Sequence, residues 1–174
     1  MSSLYTVSQL KAALTGGGAK VDKFTIEMGT PAGDGSLTLG VDGPILCKST
    51  SFPEKTIGLS SAFIQGRELR LPGDSVYPTE HEITFYNTAD HAIRNMFKKW
   101  MSSIDNFGTN FHTCNPEQFV VEIKIHQLDC NGEPVATATL HNAWPSALTQ
   151  VEVDSETINQ IEMFTVRFTY SHWD

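Results

Sequence analysis

Residues 119–141 read FVVEIKIHQLDCNGEPVATATLH, and this stretch decides the fold. Phe119, Val121, Ile123 and Ile125 alternate with Val120, Glu122, Lys124 and His126, the period of a half-buried strand. Asn131-Gly132 is a strong two-residue hairpin turn, because both residue types tolerate positive φ. Closing the hairpin there sets Cys130 against Glu133, and counting outward fixes the rest. Ile123 then faces Leu140, Ile125 faces Ala138 and Gln127 faces Ala136. On the other side Glu122 meets His141, Lys124 meets Thr139 and His126 meets Thr137. Both strands agree on which face is apolar, and a one-residue slip would destroy that agreement.

Downstream, Pro145 in the segment Asn142-Ala143-Trp144-Pro145-Ser146 predicts an end to the ladder, since proline has no N–H to give. A short strand is expected at Leu148–Val153. The last strand runs from about Gln160 to Trp173, with Phe164, Val166, Phe168 and Tyr170 on its apolar face.

Upstream of the hairpin the spacing changes from two to three and four. From Ala89 onward, Ala92, Ile93, Met96, Phe97, Trp100, Met101 and Ile104 predict an amphipathic helix of about four turns. Thr88 is its expected cap, Asp90 suits the first turn, Lys98 and Lys99 the C-terminal half, and Gly108 lies beyond the end. Met96, Phe97 and Trp100 are expected to lock the helix against a sheet.

Further strands are expected at Lys23–Met28, Leu37–Leu39, Pro44–Thr50 and Glu82–Tyr86. Ile57–Leu71 reads as extended segments around Gly66, with a turn at Pro72-Gly73-Asp74, and residues 105–117 read as a loop. Ser8–Leu14 suits a short helix ended by Gly16-Gly17-Gly18, within a flexible N-terminal segment over residues 1–20. Strands dominate and one helix interrupts them, so the expected architecture is a mainly-β sandwich or barrel with a packed helix. All 174 residues fit one domain.

Charge narrows the function. The chain has 12 basic and 20 acidic residues, a formal charge of −8. Residues 1–50 balance four against four and residues 51–100 six against six, so the excess lies wholly in residues 101–174, with two basic and ten acidic. A basic groove that grips phosphates is not expected of such a chain. No run of about 18 apolar residues exists to span a bilayer. The N-terminus has no basic head leading into a long apolar run, so no secretory signal is expected. Cys47, Cys114 and Cys130 are too few and too odd in number for a disulfide scaffold, which suits a reducing compartment.

Chemical motifs are sparse. His112 and Cys114 could begin a zinc site, but no familiar spacing supplies the other ligands. Cys47 reads as a small buried hydrophobe, and nothing positions a third member for a Cys–His nucleophile. Glu122 and His141 would act as an acid–base couple only inside a pocket; a solvated sheet face is the plainer setting. Asp90 and His91 fit capping and exposure better than catalysis. Thr15-Gly16-Gly17-Gly18-Ala19-Lys20 lacks the spacing of a phosphate-binding loop. No catalytic residue, cofactor or metal is assigned.

The order of these features resembles the tail tube proteins of contractile-tailed bacteriophages. The matching pieces are FTIEM at 24–28, ILCKSTSFP at 45–53, GRELRLPGD at 66–74 and EITFYN at 82–87. The helix DHAIRNMFKKWMSSI at 90–104 follows, with His91, Arg94, Phe97 and Trp100 in the family's positions. LHNAWPSAL at 140–148 and the acidic VEVDSETINQIEMFTVRFTYSHWD at 151–174 complete it. Two segments depart from the pattern, TPAGDGSLTLGVDG at 30–43 and NFGTNFHTCNPE at 106–117.

The resemblance implies a non-catalytic, structural virion protein made in the host cytoplasm. Its fold would be two packed antiparallel sheets in a small barrel-like unit with a flanking helix. Six copies would close a ring whose inner sheets join into one large barrel. Rings would stack head-to-tail into a rigid tube through the N-terminal segment and about Ser49–Leu71. Sheath, baseplate and tail terminator proteins are the implied partners, and the genome would pass through without specific binding or any membrane anchor. An acidic lumen would repel the DNA backbone, and Glu122, Glu133, Glu152, Asp154, Glu156 and Glu162 are its candidate lining. The alternatives are the needle of a phage-derived injection or secretion device and a monomeric β-barrel binding module.

Overall fold

A computed structural model describes residues 6–14, 18–32, 37, 39, 43–106, 111–112, 115–151, 153–154 and 160–174. Its elements are α1 (Val7–Ala13), β1 (Phe24–Met28), α2 (Gly43–Leu46), β2 (Cys47–Ser49), β3 (Thr56–Ile64), β4 (Arg67–Val76) and β5 (Glu80–Tyr86). Then come α3 (Ala92–Ile104), β6 (Asp105–Asn106), β7 (Phe111–His112), a 3₁₀ turn (Pro116–Gln118), β8 (Val121–Leu128), β9 (Pro134–Leu148), β10 (Met163–Thr169) and β11 (His172–Trp173). The fold is mainly β, with several short helices rather than one.

The main ladder runs β1-β8-β9-β10-β5-β2, with β11 also on β9, and every pairing in it is antiparallel. β9 belongs to both layers. Its first half pairs with β8 and β11, its second half with β10. Asn142, at φ 54°, marks the change of partner. The two layers enclose a core of Ile26, Ile123, Ile125 and Leu140 from one side and Ile83, Phe85, Phe164, Val166 and Phe168 from the other.

The β8–β9 register holds as counted from Ile123↔Leu140 to Gln127↔Ala136. The turn differs. Asp129, not Cys130, pairs with Glu133, leaving a three-residue loop in which Gly132 takes positive φ (87°) and Asn131 does not. The Asp129 carboxylate accepts the main-chain N–H groups of Asn131 (2.7 Å) and Glu133 (2.9 Å). A carboxylate anchoring this loop removes the need for a two-residue turn.

Pro145 does not end the ladder: β9 runs through it for 15 residues, with Pro145 opposite Phe168. β8 stops pairing at Ala143, so the missing N–H faces no strand. β9 ends at Leu148, and no strand covers Thr149–Val151. The final segment forms β10 and β11, burying Phe164, Val166, Phe168 and Tyr170.

Three upstream readings also change. Gly43–Leu46 is a helical turn with Pro44 in its first turn, and only Cys47–Ser49 is strand. Leu37 and Leu39 are buried without strand structure. Pro72-Gly73-Asp74 lies inside β4; the chain turns instead at Gln65-Gly66, both at positive φ (49° and 79°), the geometry of a type I′ hairpin.

α3 begins at Ala92, three residues after the expected start. His91 sits in the left-handed region (φ 54°), which breaks helical continuity, and Thr88 instead gives its hydroxyl to Asp90. Phe97 and Trp100 are fully buried and Met96 is partly so. The Phe97 ring lies 5.4 Å from Phe85 and 5.8 Å from Phe168. Gly108 lies outside the described residues.

Candidate assembly surfaces

The sheet leaves backbone groups open. Along β1, Lys23 and Gly29 bond to β8, so the groups of Thr25 and Glu27 also face β8, and those of Phe24, Ile26 and Met28 face away. Among the described residues the ladder ends there. A second opening lies on β9. β11 covers its far side only from Thr139, which exchanges both main-chain hydrogen bonds with Asp174 (2.8 and 3.2 Å). Val135 and Thr137 leave that side unpaired among the described residues.

The β3–β4 hairpin is more exposed still. Ile57, Leu59, Phe63, Ile64, Leu69 and Leu71 are all solvent-exposed, Phe63 at 74%. Ala62 lies opposite Leu69 and Ser60 opposite Leu71, so one hairpin face carries a compact apolar strip. A two-stranded hairpin is marginal in water alone, and so many exposed apolar residues mark a contact surface. Gly58 and Gly73 meet at a bulge in its stem, where a Cβ on Gly73 would come within 3.1 Å of the Gly58 carbonyl. α1 is exposed along its length, with Val7, Leu10 and Leu14 outward and a Thr6–Gln9 capping box at its start.

The outward face of the β1-β8-β9-β11 layer is polar. It carries Thr25 and Glu27, then Glu122, Lys124 and His126, then Thr137, Thr139 and His141, and finally His172 and Asp174. His141 lies between Glu122 (3.3 Å) and Asp174 (2.9 Å) and stacks on His172 at 4.6 Å. His126 bonds Thr137 (2.8 Å) and lies 3.7 Å from Glu27. This is an open sheet surface rather than a pocket, so the Glu122–His141 pair has no enclosed space for acid–base work.

The acidic residues singled out in sequence fall in several places. Glu122 is on this polar face, and Glu133 closes the turn at the opposite end of β8. Asp154 and Glu162 line one open depression with Gln150 and Gln160, and the Glu162 carboxylate accepts from Asn87 beside His91. Glu152 and Glu156 lie outside the described residues, as does Cys114; His112 lies in β7. Among the described residues, no cluster of three or more His, Cys, Asp or Glu could hold a metal. No described helix is long and apolar enough to cross a membrane.

Burial shifts Cys47, His81 and Tyr170, the last upward. It pushes the Cys47 thiol up to about 11, so the thiol stays protonated and unreactive at neutral pH. It also lowers His81, whose Nε2 pairs with the Thr50 hydroxyl at 2.9 Å, with Glu82 pulling weakly the other way. Three features of these surfaces were not read from sequence: that the extended segments around Gly66 form a projecting hairpin, that Glu27 lies beside Glu122's strand, and that His172–Trp173 separate from the last strand to pair with β9. Gly66 between two alternating segments was the available signal for the first.

A family model for phage tail tube proteins matches residues 5–174. The chain is 27% identical over 167 residues to the tail tube protein of Serratia phage KSP90, covering 95% of this chain and 94% of that one. Its fold is similar to a chain in the anti-feeding prophage baseplate, solved with six-fold symmetry (TM-score 0.65, 16% identity, 90% and 93% covered). It is also similar to one in the extended sheath-tube complex of the PVC extracellular contractile injection system (TM-score 0.61, 17% identity, 98% and 97% covered).

Proposed function

The chain belongs to the phage tail tube protein family, a family of structural and non-catalytic proteins, and from that membership we propose that it is the repeating subunit of a contractile phage's inner tail tube. Six copies close a ring by joining the open edge of β1 to the open side of β9 in the next copy. This pairing satisfies backbone groups that a lone subunit leaves to water. The edges are different strands, so the contact is head-to-tail and closes only as a ring. Six-fold symmetry in the related baseplate supports six as the number.

The β3–β4 hairpin carries the reading. Its apolar residues are left exposed among the described residues, and it projects as a reaching element between rings, with α1 as the second axial contact. The polar face with Glu27, Glu122 and Asp174 lines the lumen, where carboxylates repel a passing DNA backbone. Sheath, baseplate and terminator are the partners along the tube, and the protein resides in the virion after synthesis in the host.

Negative-stain imaging of the purified chain, alone and with the other tail components, tests this. Hollow rings or tubes are expected. Phe63→Ser with Leu69→Ser and Leu71→Ser should yield rings that do not elongate. Discrete monomers under all conditions would refute the reading. Likeness to the injection-system tube supports a second reading, a needle that delivers protein; particles that carry no DNA-filled head would favour it.

A further inference from the structure

β1 and β9 run in the same direction, because each is antiparallel to the β8 strand between them. Rotation about a ring axis preserves that direction. When a ring closes, the open edge of β1 therefore meets the next copy's β9 in parallel, start beside start. The position along β9 is limited too. β11 covers its far side from Thr139 onward, so only Val135 and Thr137, near the start, are open to a newcomer. In a parallel pair, an open residue bonds to the two residues flanking the one opposite it. Two registers place β1 on these groups, with either Ile26 or Met28 opposite Ala136.

Both registers set apolar beside apolar. Ala136 shares the core-facing side of β9 with buried Ala138 yet is itself exposed, while Ile26 and Met28 lie on the same side of β1. A one-residue slip would bring Glu27 to that side instead. The charges just before the two strands differ in sign. Lys20, Asp22 and Lys23 lead into β1 with a net positive charge, and Asp129 and Glu133 make the β8–β9 loop negative. Asp129 is occupied by the main-chain N–H groups of its own loop. Lys20, Lys23 and Glu133 are exposed, and among the described residues none of them forms an ion pair. Counting back from Ala136 sets Lys23 opposite Glu133 in one register and diagonal to it in the other, both within reach of a lysine.

We propose that Lys23 of one copy pairs with Glu133 of the next, and that this contact selects the register in which β1 joins β9 as the ring closes. The proposal rests on the tube reading above and adds to it the direction of the joint and the charges that choose it. Backbone groups alone accept either register and any strand edge. A cation before one strand and a carboxylate before the other admit only the pairing that brings the two starts together.

The test treats assembled wild-type chains, half of them labelled with heavy isotopes, with a carbodiimide, which joins an amine to a carboxylate only where the two touch. Mass spectrometry should find Lys23 joined to Glu133 between a heavy and a light chain. Lys23→Glu and Glu133→Lys should each lower ring yield about ten-fold or more by setting like charges together, and the two combined should restore most of it. Both positions are exposed, so each variant should unfold thermally like the wild type. Intact rings or tubes without that cross-link overturn the proposal and leave the tube reading standing. Single variants that assemble at the wild-type level, or a double variant no better than the singles, also overturn it. If wild-type chains form neither rings nor tubes, the tube reading fails and the pair falls with it.

Discussion

The indole Nε1 of Trp100 donates to the main-chain carbonyl of Phe119 at 3.0 Å, tying the middle of α3 to the approach to β8. Trp100 is thus both a core side chain and a polar tether. Trp100→Ala should cost about 3–5 kcal/mol, from lost burial and the cavity left behind. Trp100→Phe keeps an aromatic ring but strands the Phe119 carbonyl, at a cost of about 1–3 kcal/mol. Urea unfolding of both variants checks the order; a Trp100→Phe variant as stable as the wild type would show that the hydrogen bond contributes nothing separable, and equal losses would show that burial of the ring adds nothing to it.

Gly132 holds φ 87° in the β8–β9 loop. Gly132→Ala puts a Cβ into left-handed backbone and should destabilise by about 1–2 kcal/mol. Open space surrounds the position, so the effect is conformational rather than a clash. Thermal unfolding measures it.

His81 supplies a pH prediction. Burial lowers its folded-state pKa below the ordinary 6.5, so the unfolded chain binds the proton more readily. The stability this neutral histidine contributes is full above 6.5 and declines as pH falls below it toward the folded value. Denaturant midpoints at pH 7.5 and pH 5 should therefore differ more in the wild type than in His81→Gln. Asp129 titrates lower: the N–H of Glu133 is the largest cause holding its carboxyl below the ordinary 3.8, so its contribution persists through this window and is lost only in stronger acid.

The glycine pair in the hairpin stem separates folding from assembly. Gly73→Ala brings a Cβ within 3.1 Å of Gly58's main chain, in an element that buries nothing in the core. Core unfolding should shift by less than about 0.5 kcal/mol. Tube elongation should slow, because the bend of the hairpin changes. Calorimetry paired with imaging reads the two effects apart.

What was legible in sequence was whatever two neighbouring segments specified together. Ile123 and Leu140 found each other because both strands alternate and one turn joins them. Pro72 and Pro145 misled for a shared reason: a proline interrupts a ladder only where its nitrogen faces another strand, and neither does. Gln65 at φ 49° is not a residue that local rules select for a turn. The surfaces were least legible. Phe63 and Leu69 look like core residues in any local reading, yet nothing among the described residues covers them. Glu122 acquires Glu27 and Asp174 as companions on one face only once β1 and β11 dock on either side of the hairpin.

The single strand β9 has a mechanical consequence. One unbroken run of 15 residues is hydrogen-bonded to β8 and β11 in one layer and to β10 in the other. For either layer to slide along the other, a whole row of those bonds must yield together, because they lie crosswise to the sliding direction and share the load. A thrust on one layer therefore passes to the other through covalent backbone instead of through side-chain contacts, and the two layers meet a force along the strand as one piece.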